Sequence, residues 1–111
     1  MNEDLVIATS IATKICNFLN EKRNEVMKDC ELTDEFDFAV GRAYIKIGFK
    51  HKNADKIYCA DAFIDIHNKI YYPSASWSAP NKNYPKEITP SNIEMIAQRI
   101  YPYAFYPFIT E

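Results

Sequence analysis

Side chains suited to binding an anion are concentrated in the middle of the chain. Arg42 and Lys46 lie four residues apart, so they share one face of a predicted strand. Arginine offers a planar fork of N–H donors that fits phosphate oxygens, and lysine adds a second positive charge. Asn68 falls in a predicted turn, where its amide can bond a ribose or a base edge. Lys86 adds a cation further along the chain.

Aromatic residues next to these cations could provide a stacking surface. Trp77 is the only tryptophan, and small residues flank it from Ala75 to Ala79. Such neighbours leave the indole accessible to a flat molecule or to another subunit. Tyr72 precedes it at the end of a predicted strand. The set predicts a nucleotide-like ligand, although strand cations, a structural turn asparagine and a packing tryptophan would have the same residue types.

Catalytic residues are not indicated by the sequence. His51 and His67 are the only histidines, and both fall in predicted polar turns without a serine or cysteine nucleophile motif. Asp61 and Asp65 share a strand face but would lie roughly 13 Å apart, too far for a glycosidase pair. The cysteines have no metal-ligand spacing, and two glycines leave no Walker or dinucleotide loop. We therefore predict no catalytic residue, no metal and no cofactor.

Composition and charge narrow the class of protein further. A length of 111 residues predicts one domain, and a net charge of −2 argues against duplex nucleic acid as a partner. No apolar run approaches the roughly 18 residues needed to span a membrane. The N-terminus has acids where a signal peptide is basic. The three cysteines are unevenly spaced, which indicates reduced thiols in a cytoplasm.

The N-terminal part of the chain is predicted to be helical from residue 4 to residue 29. An apolar stripe at helical spacing supports this prediction; it consists of Leu5, Ala8, Ile11 or Ala12, Ile15, Phe18 or Leu19, and Val26. Because such a helix is long for a small domain, we expect residues 1–30 to form an arm that projects from the core and meets another subunit. Residues 29–37 then hold five acidic residues. Such a run is typical of a solvated turn, or of an inhibitor that mimics the charge of a nucleic acid.

A small antiparallel sheet is predicted for residues 36–88. The first strand runs from Phe36 to Lys50, with a bulge at Gly41-Arg42 where the apolar parity switches. The second strand runs over 57–66 and the third over 70–72, joined by a primed turn in which Asn68 has φ > 0. Three to four strands in a meander, after a long helix, give an α+β fold.

Residues 90–111 are predicted to form a short helix and an aromatic tail. Thr89 and Pro90 have the residue types of an N-cap and a first helical position, and Pro102 ends the helix. The tail has five aromatics between Tyr101 and Phe108. Such a surface is expected to fold back over the core or to form an interface.

Three motifs resemble a known family of phage proteins. They are G-R-x-Y-I-K-I at Gly41–Ile47, a hairpin with a turn asparagine at Phe63–Asn68, and P-x-A-S-W-x-A-P at Pro73–Pro80. Together these motifs resemble the first family of Thoeris anti-defence proteins, and the resemblance covers residues 36–88. It implies a helical part followed by a small antiparallel sheet, and assembly as a homo-oligomer, typically a hexamer, in the cytoplasm of the infected bacterial host.

The resemblance also implies a function. Members of that family are sponges that trap cyclic ADP-ribose isomers, and in some cases cyclic oligonucleotides, without hydrolysing them. The family's strand arginine corresponds to Arg42 and its turn asparagine to Asn68. Ile70 stands where the family has a turn aspartate, and Lys86 is the only cation near the position of its loop arginine. The expected site is therefore Arg42 and Lys86 for phosphate, Asn68 for ribose or base, Lys46 as a second charge, and Trp77 or Tyr72 for stacking.

Two other functions fit the same residues. The acidic segment and the aromatic tail could together occupy a bacterial defence enzyme, which would make the protein a protein-binding inhibitor. The other hypothesis is an accessory hydrolase. Charge reversal in the acidic segment would abolish activity for the inhibitor but leave a small-molecule sponge unaffected.

Overall fold

A long amphipathic helix opens the fold. The computed structural model describes residues 2–102; residue 1 and residues 103–111 lie outside them. Helix α1 spans Glu3–Val26, and the Asn2 side chain caps it by accepting the Leu5 N–H at 3.3 Å. One stripe of α1 is buried against the sheet; its members are Ala8, Ala12, Ile15, Cys16, Leu19 and Arg23.

The strands follow α1 as an antiparallel meander. They are β1 (Asp34–Val40), β2 (Tyr44–His51), β3 (Ala62–Asp65), β4 (Ile70–Pro73) and β5 (Lys86–Glu87), in spatial order β1-β2-β3-β4-β5. A short helix, α2 (Ile93–Ile100), completes the described part. This arrangement confirms the predicted α+β fold, and the five strands exceed the predicted three to four by the short β5.

Both helices pack on the same face of the sheet. The main core joins the α1 stripe to Ile45 and Ile47 of β2, Ile64 of β3, and Ile96 of α2. The prediction that α1 projects as an arm is wrong for the described chain, because its buried stripe lies along β1 and β2. The predicted role of the tail beyond Pro102 lies outside the described residues.

The parity switch near Arg42 marks a hairpin turn rather than a bulge. Val40 and Ile45 are paired, and the Gly41 N–H donates to the Tyr44 carbonyl at 2.8 Å. Parity alone cannot distinguish a bulge from a hairpin turn with an even number of residues between paired positions, because both change which residues face the core. The single strand predicted over 36–50 is therefore two strands.

A bulge does occur, in the segment predicted as the second strand. The Tyr58 N–H donates to Phe49 O and the Asp61 N–H donates to Ile47 O, both at 2.8 Å. Between the Lys50–Ile57 bridge and the Ile47–Ala62 pair, five steps along one chain face three along the other, which leaves two extra residues around Cys59. The carbonyl of Cys59 crosses directly over Gly48, where any Cβ would approach it to 1.9 Å. Regular pairing resumes only at Ala62.

The second helix begins later than the sequence predicted. Its N-cap is Asn92, whose side chain donates to Glu87 O at 2.7 Å and accepts the Thr89 N–H at 2.9 Å. These bonds place Thr89 and Pro90 in a turn that joins β5 to α2. A helix start at Thr89-Pro90 is therefore wrong by three residues.

Polar side chains from α1 cover the free edge of the sheet at β1. The amide of Asn20 accepts the Phe36 N–H at 2.7 Å and donates to Phe36 O at 3.0 Å. Arg23 donates to Asp34 O at 3.0 Å and to the Asp34 carboxylate at 2.7 Å. Glu35 pairs with Lys50 at 3.2 Å. Two acids of the predicted acidic segment are thus bound within the fold.

Candidate ligand-binding face of the sheet

The face of the sheet that turns away from both helices presents aromatic and charged side chains. Residues opposite each other in an antiparallel ladder share a face. The pairs Tyr44–Asp65, Lys46–Phe63 and Phe63–Tyr72 therefore place one contiguous set there, since Ile45, Ile47 and Ile64 face the helices. We call Tyr44, Lys46, Phe63, Asp65 and Tyr72 the open sheet face.

Phe63 is the apolar centre of the open sheet face. It is 1% exposed although it lies outside the main core. The ring of Tyr44 meets it edge-on with centroids 5.8 Å apart, and Tyr44 also meets Tyr72 edge-on at 6.4 Å. Lys46 Nζ lies 5.9 Å from the Phe63 ring centroid. These contacts hold the three rings in fixed relative orientations.

Trp77 is carried to the open sheet face by a tight loop after β4. Ser74 forms a bridge with Pro80, and the Ala75 N–H donates to Ala79 O at 3.0 Å. The ammonium of Lys46 lies 4.1 Å from the centroid of the Trp77 ring, within cation–π range. Since Trp77 remains 50% exposed, one ring face contacts Lys46 while much of the indole stays accessible to solvent.

A second cation, Lys82, lies near the ring of Tyr44. Its Nζ is 6.0 Å from the Tyr44 ring centroid. A hydrogen bond with the Tyr44 hydroxyl is the main reason that the pKa of Lys82 is raised, and Tyr72 and Asp65 raise it further. Lys82 therefore remains positively charged throughout the physiological pH range, beside the half-buried ring of Tyr44.

Arg42 and Asn68 line one pocket at the end of the sheet, next to the open sheet face. The pocket, which we call the turn pocket, has a volume of about 380 Å³. The Ile66 N–H donates to Ala43 O at 3.0 Å, and this bond holds the β1–β2 and β3–β4 turns together. Asp65 belongs to both the turn pocket and the open sheet face, so the two are continuous.

The turn that carries Asn68 differs from the predicted one. The residue with positive φ is Lys69, at 55°, rather than Asn68. Asp65 Oδ1 accepts the Asn68 N–H at 2.9 Å, and Asp65 O accepts the Lys69 N–H at 2.8 Å. The Asp65 side chain thus caps the turn by accepting the backbone N–H three residues on, and the left-handed residue lies one position later than predicted.

An ion-pair cluster fixes this turn against the start of α1. Asp4 bonds the Lys69 ammonium through Oδ1 and His67 Nδ1 through Oδ2, the latter at 2.8 Å. The bond from Lys69 is the main reason that the pKa of Asp4 lies below its ordinary value, and the bond from His67 lowers it further. Asp4 therefore stays ionised at neutral pH and adds a negative charge to the lining of the turn pocket, which Arg42 also lines.

The structure brings together most, but not all, of the predicted site residues. Lys46, Tyr72 and Trp77 belong to or contact the open sheet face, while Arg42 and Asn68 lie in the adjoining turn pocket. Lys86 is paired with Tyr71 in β5, and Tyr71 faces the helices. The Lys86 side chain therefore lies on the helical face of the sheet, apart from the other predicted site residues.

The site also includes residues that the sequence reasoning did not single out. Tyr44 and Phe63 supply two of its rings, and Asp65 shapes the turn beside Asn68. The signal for Tyr44 was available, because Tyr44 and Lys46 alternate with Ile45 and Ile47. Phe63 gave no such signal, since a buried phenylalanine looks the same in sequence whichever face it occupies.

Three further features of the described chain concern metal ligands, membrane-spanning helices and reactive thiols. Among residues 2–102, no group of three or more His, Cys, Asp or Glu side chains is placed to hold a metal ion. Within the same range, no helix combines the length and apolar character needed to cross a membrane. Burial raises the pKa of the Cys16 thiol to about 12 and also raises that of Cys59, so both stay protonated and unreactive at neutral pH.

Comparison with known proteins finds no family model, no curated protein and no solved structure that matches this chain. The functional interpretation below therefore depends on the site itself and on the three sequence motifs.

Proposed function

We propose that the protein binds a nucleotide-derived, phosphate-bearing small molecule on the open sheet face and releases it unchanged. The observation that carries this proposal is the half-exposed indole of Trp77 against the Lys46 ammonium, with a second ammonium, that of Lys82, near the Tyr44 ring. A base can stack on an exposed aromatic ring, while lysine and arginine attract the phosphates. Arg42 extends the positive charge into the turn pocket.

The arrangement of these groups supports binding rather than turnover. The only histidine at the turn pocket, His67, is bound to Asp4 at the rim. The carboxylate of Asp65 accepts two bonds from Asn68, at 2.9 and 3.4 Å, which hold it in the turn. Neither group is paired with a nucleophile in the contacts described above.

At the level of biological role, we propose that the ligand is an immune signal of the infected host, a cyclic ADP-ribose isomer or a cyclic oligonucleotide. The support for this finer assignment is the resemblance of the Gly41–Ile47, Phe63–Asn68 and Pro73–Pro80 motifs to anti-defence sponges. We also propose a homo-oligomer in the host cytoplasm, as in that family. Light scattering that gives only the mass of one chain, 12.9 kDa, would contradict the oligomer.

The experiment that tests the site is calorimetry of cyclic ADP-ribose isomers with the parent protein and with Arg42→Glu. Arg42 is exposed in a turn, so the substitution leaves the core intact. Charge-assisted bonds contribute about 1.5–3 kcal/mol each, and sign reversal adds repulsion. We expect roughly a hundredfold or greater loss of affinity, whereas Asn68→Ala, which removes a neutral amide, costs less.

A matched control separates local from general charge effects. Lys52→Glu makes the same reversal from positive to negative at an exposed residue just beyond the opposite end of β2, and it should bind as the parent does. Equal affinity of the parent and Arg42→Glu would show that the turn pocket is not the phosphate site.

The alternative inhibitor function is tested by pull-down from host lysate, alongside the calorimetry. Asp29→Lys and Glu31→Lys reverse exposed acids of the acidic segment, whereas Asp34 and Glu35 are unsuitable because they form internal ion pairs. Loss of capture of a host protein in these variants, with signal binding absent in the parent, would favour the inhibitor.

A further inference from the structure

An apolar concavity lies on the helical side of the sheet. It is a groove of about 480 Å³ between the first half of α1 and the segment that joins β5 to α2. Its walls are aliphatic; we call Val6, Ile7, Ile11, Ile88, Pro90 and Ile93 the helix groove. Its volume is within the range of about 300–1,000 Å³ that small-molecule sites occupy.

Two aliphatic residues of the helix groove are exposed, unlike the buried aliphatic residues of the same helix. Val6 is 50% exposed and Ile7 is 41% exposed, next to each other on α1. Isolated exposed aliphatic residues are common on proteins. These two, however, continue into the concave wall formed by Ile11 and Ile93, so that the exposed apolar surface and the concavity are one feature.

Cationic side chains lie at the rim of this apolar surface. Lys14 and Lys69 both border the groove, together with the hydroxyl-bearing Ser10 and Thr89. Lys69 is bonded to Asp4, which leaves Lys14 as the rim charge that is not neutralised by an ion pair among residues 2–102. An apolar floor with a positive rim is complementary to a molecule that has an apolar body and one negative end.

We infer that the helix groove binds an amphipathic organic anion, with its hydrocarbon part between α1 and α2 and its carboxylate near Lys14. Hydrocarbon burial supplies the affinity, since it removes apolar surface from water. The exposed charge supplies orientation more than strength. This site is separate from the open sheet face and does not depend on the function proposed there.

The test uses decanoate as the probe and the isoleucine methyl groups of the full chain as reporters in NMR. We expect decanoate to shift the signals of Ile7, Ile11, Ile88 and Ile93, and to leave that of Ile57, outside the groove, unchanged. Decylammonium, which has the same chain but a positive end that Lys14 repels, should bind more weakly than decanoate. Shifts spread evenly over all isoleucines, or no shifts at millimolar decanoate, would overturn the inference.

A pair of matched variants makes the test specific. Val6→Glu introduces a negative charge in the groove, and Val40→Glu makes the same change at an equally exposed valine, also 50% exposed, at the end of β1. Neither change disturbs a buried residue. We expect about tenfold weaker decanoate binding in Val6→Glu, equivalent to about 1.4 kcal/mol, and parental binding in Val40→Glu.

Two further outcomes would also contradict the inference. Equal decanoate binding in Val6→Glu and the parent would place the probe elsewhere. Nuclear Overhauser contacts between the groove isoleucines and residues 103–111, or groove signals that depend on protein concentration, would show that the groove is filled by the chain itself or by a second copy.

Discussion

Gly48→Ala should destabilise the fold severely, because Gly48 lies beneath the bulge that shapes β3. A Cβ at this position would lie 1.9 Å from the Cys59 carbonyl oxygen and 2.8 Å from the Cys59 carbonyl carbon. Both atoms belong to the backbone, so no side-chain rotation relieves the overlap. The bulge must move away from β2, which breaks the bonds from Tyr58 to Phe49 and from Asp61 to Ile47.

The expected magnitude follows from these contacts. Overpacking in a well-packed region costs about 1–3 kcal/mol, and a backbone clash this close should reach the top of that range, about 3 kcal/mol or more. For a domain of this size each kcal/mol lowers Tm by roughly 4–8 °C. A fall in Tm of more than about 12 °C is therefore expected.

The assay is thermal and urea unfolding followed by far-UV circular dichroism, with Gly41→Ala as the matched control. At Gly41 the Cβ would lie 2.9 Å from the Tyr44 carbonyl oxygen, a far smaller overlap, and we expect about 1 kcal/mol. If Gly48→Ala were as stable as Gly41→Ala, the placement of the bulge over Gly48 would be refuted.

Two other predictions concern the contacts between α1 and β1. Asn20→Ala removes both bonds to Phe36, so we expect a loss of about 1–3 kcal/mol in urea unfolding and concentration-dependent association through the freed edge; Asn17→Ala, at an exposed position of the same helix, should show neither. For Asp34, burial alone would raise the pKa, but bonds from Tyr58 and Arg23 outweigh it and lower the pKa. Its contribution to stability is therefore present above the ordinary pKa of about 3.9 and is lost as pH falls through the lowered value. Asp34→Asn should be less stable than the parent at pH 7 by about 1–3 kcal/mol, and the difference should shrink below about pH 4; a difference independent of pH would contradict this.

The helical layer could be predicted from periodicity, because it depends on side chains at fixed spacing. The stripe through Ala8, Ile15 and Leu19 identified the buried face of α1. The sequence did not show that Arg23 continues this stripe, since its burial depends on an ion pair with Asp34 eleven residues later. Periodicity within one helix also could not show whether α1 projects from the core or packs against the sheet.

The strands were predicted less accurately, because their ends depend on contacts between distant segments. The bulge near Cys59 is set by its crossing over Gly48, and neither residue signals this alone. Likewise, the positive φ at Lys69 follows from the Asp65 side chain, which captures the Asn68 N–H. Residue preferences had favoured Asn68 for that conformation.

Most of the candidate site could be nominated from residue types at predicted turns and strand faces. Arg42 and Asn68 were both expected at turns, and the structure places them in one pocket. The position of Lys86 could not be foreseen, because β5 has only two residues and its pairing with Ile70 and Tyr71 decides which face they occupy.

The most direct test of the central claim is the mass of the molecule that the protein retains and then releases. The parent and Trp77→Ala would each be incubated with cyclic ADP-ribose isomers, washed and heat-denatured, and the released material analysed by mass spectrometry. The account predicts that the parent releases the intact signal and that Trp77→Ala, which lacks the stacking ring, retains far less. Release of a cleaved product by the parent, or equal retention by both proteins, would contradict it.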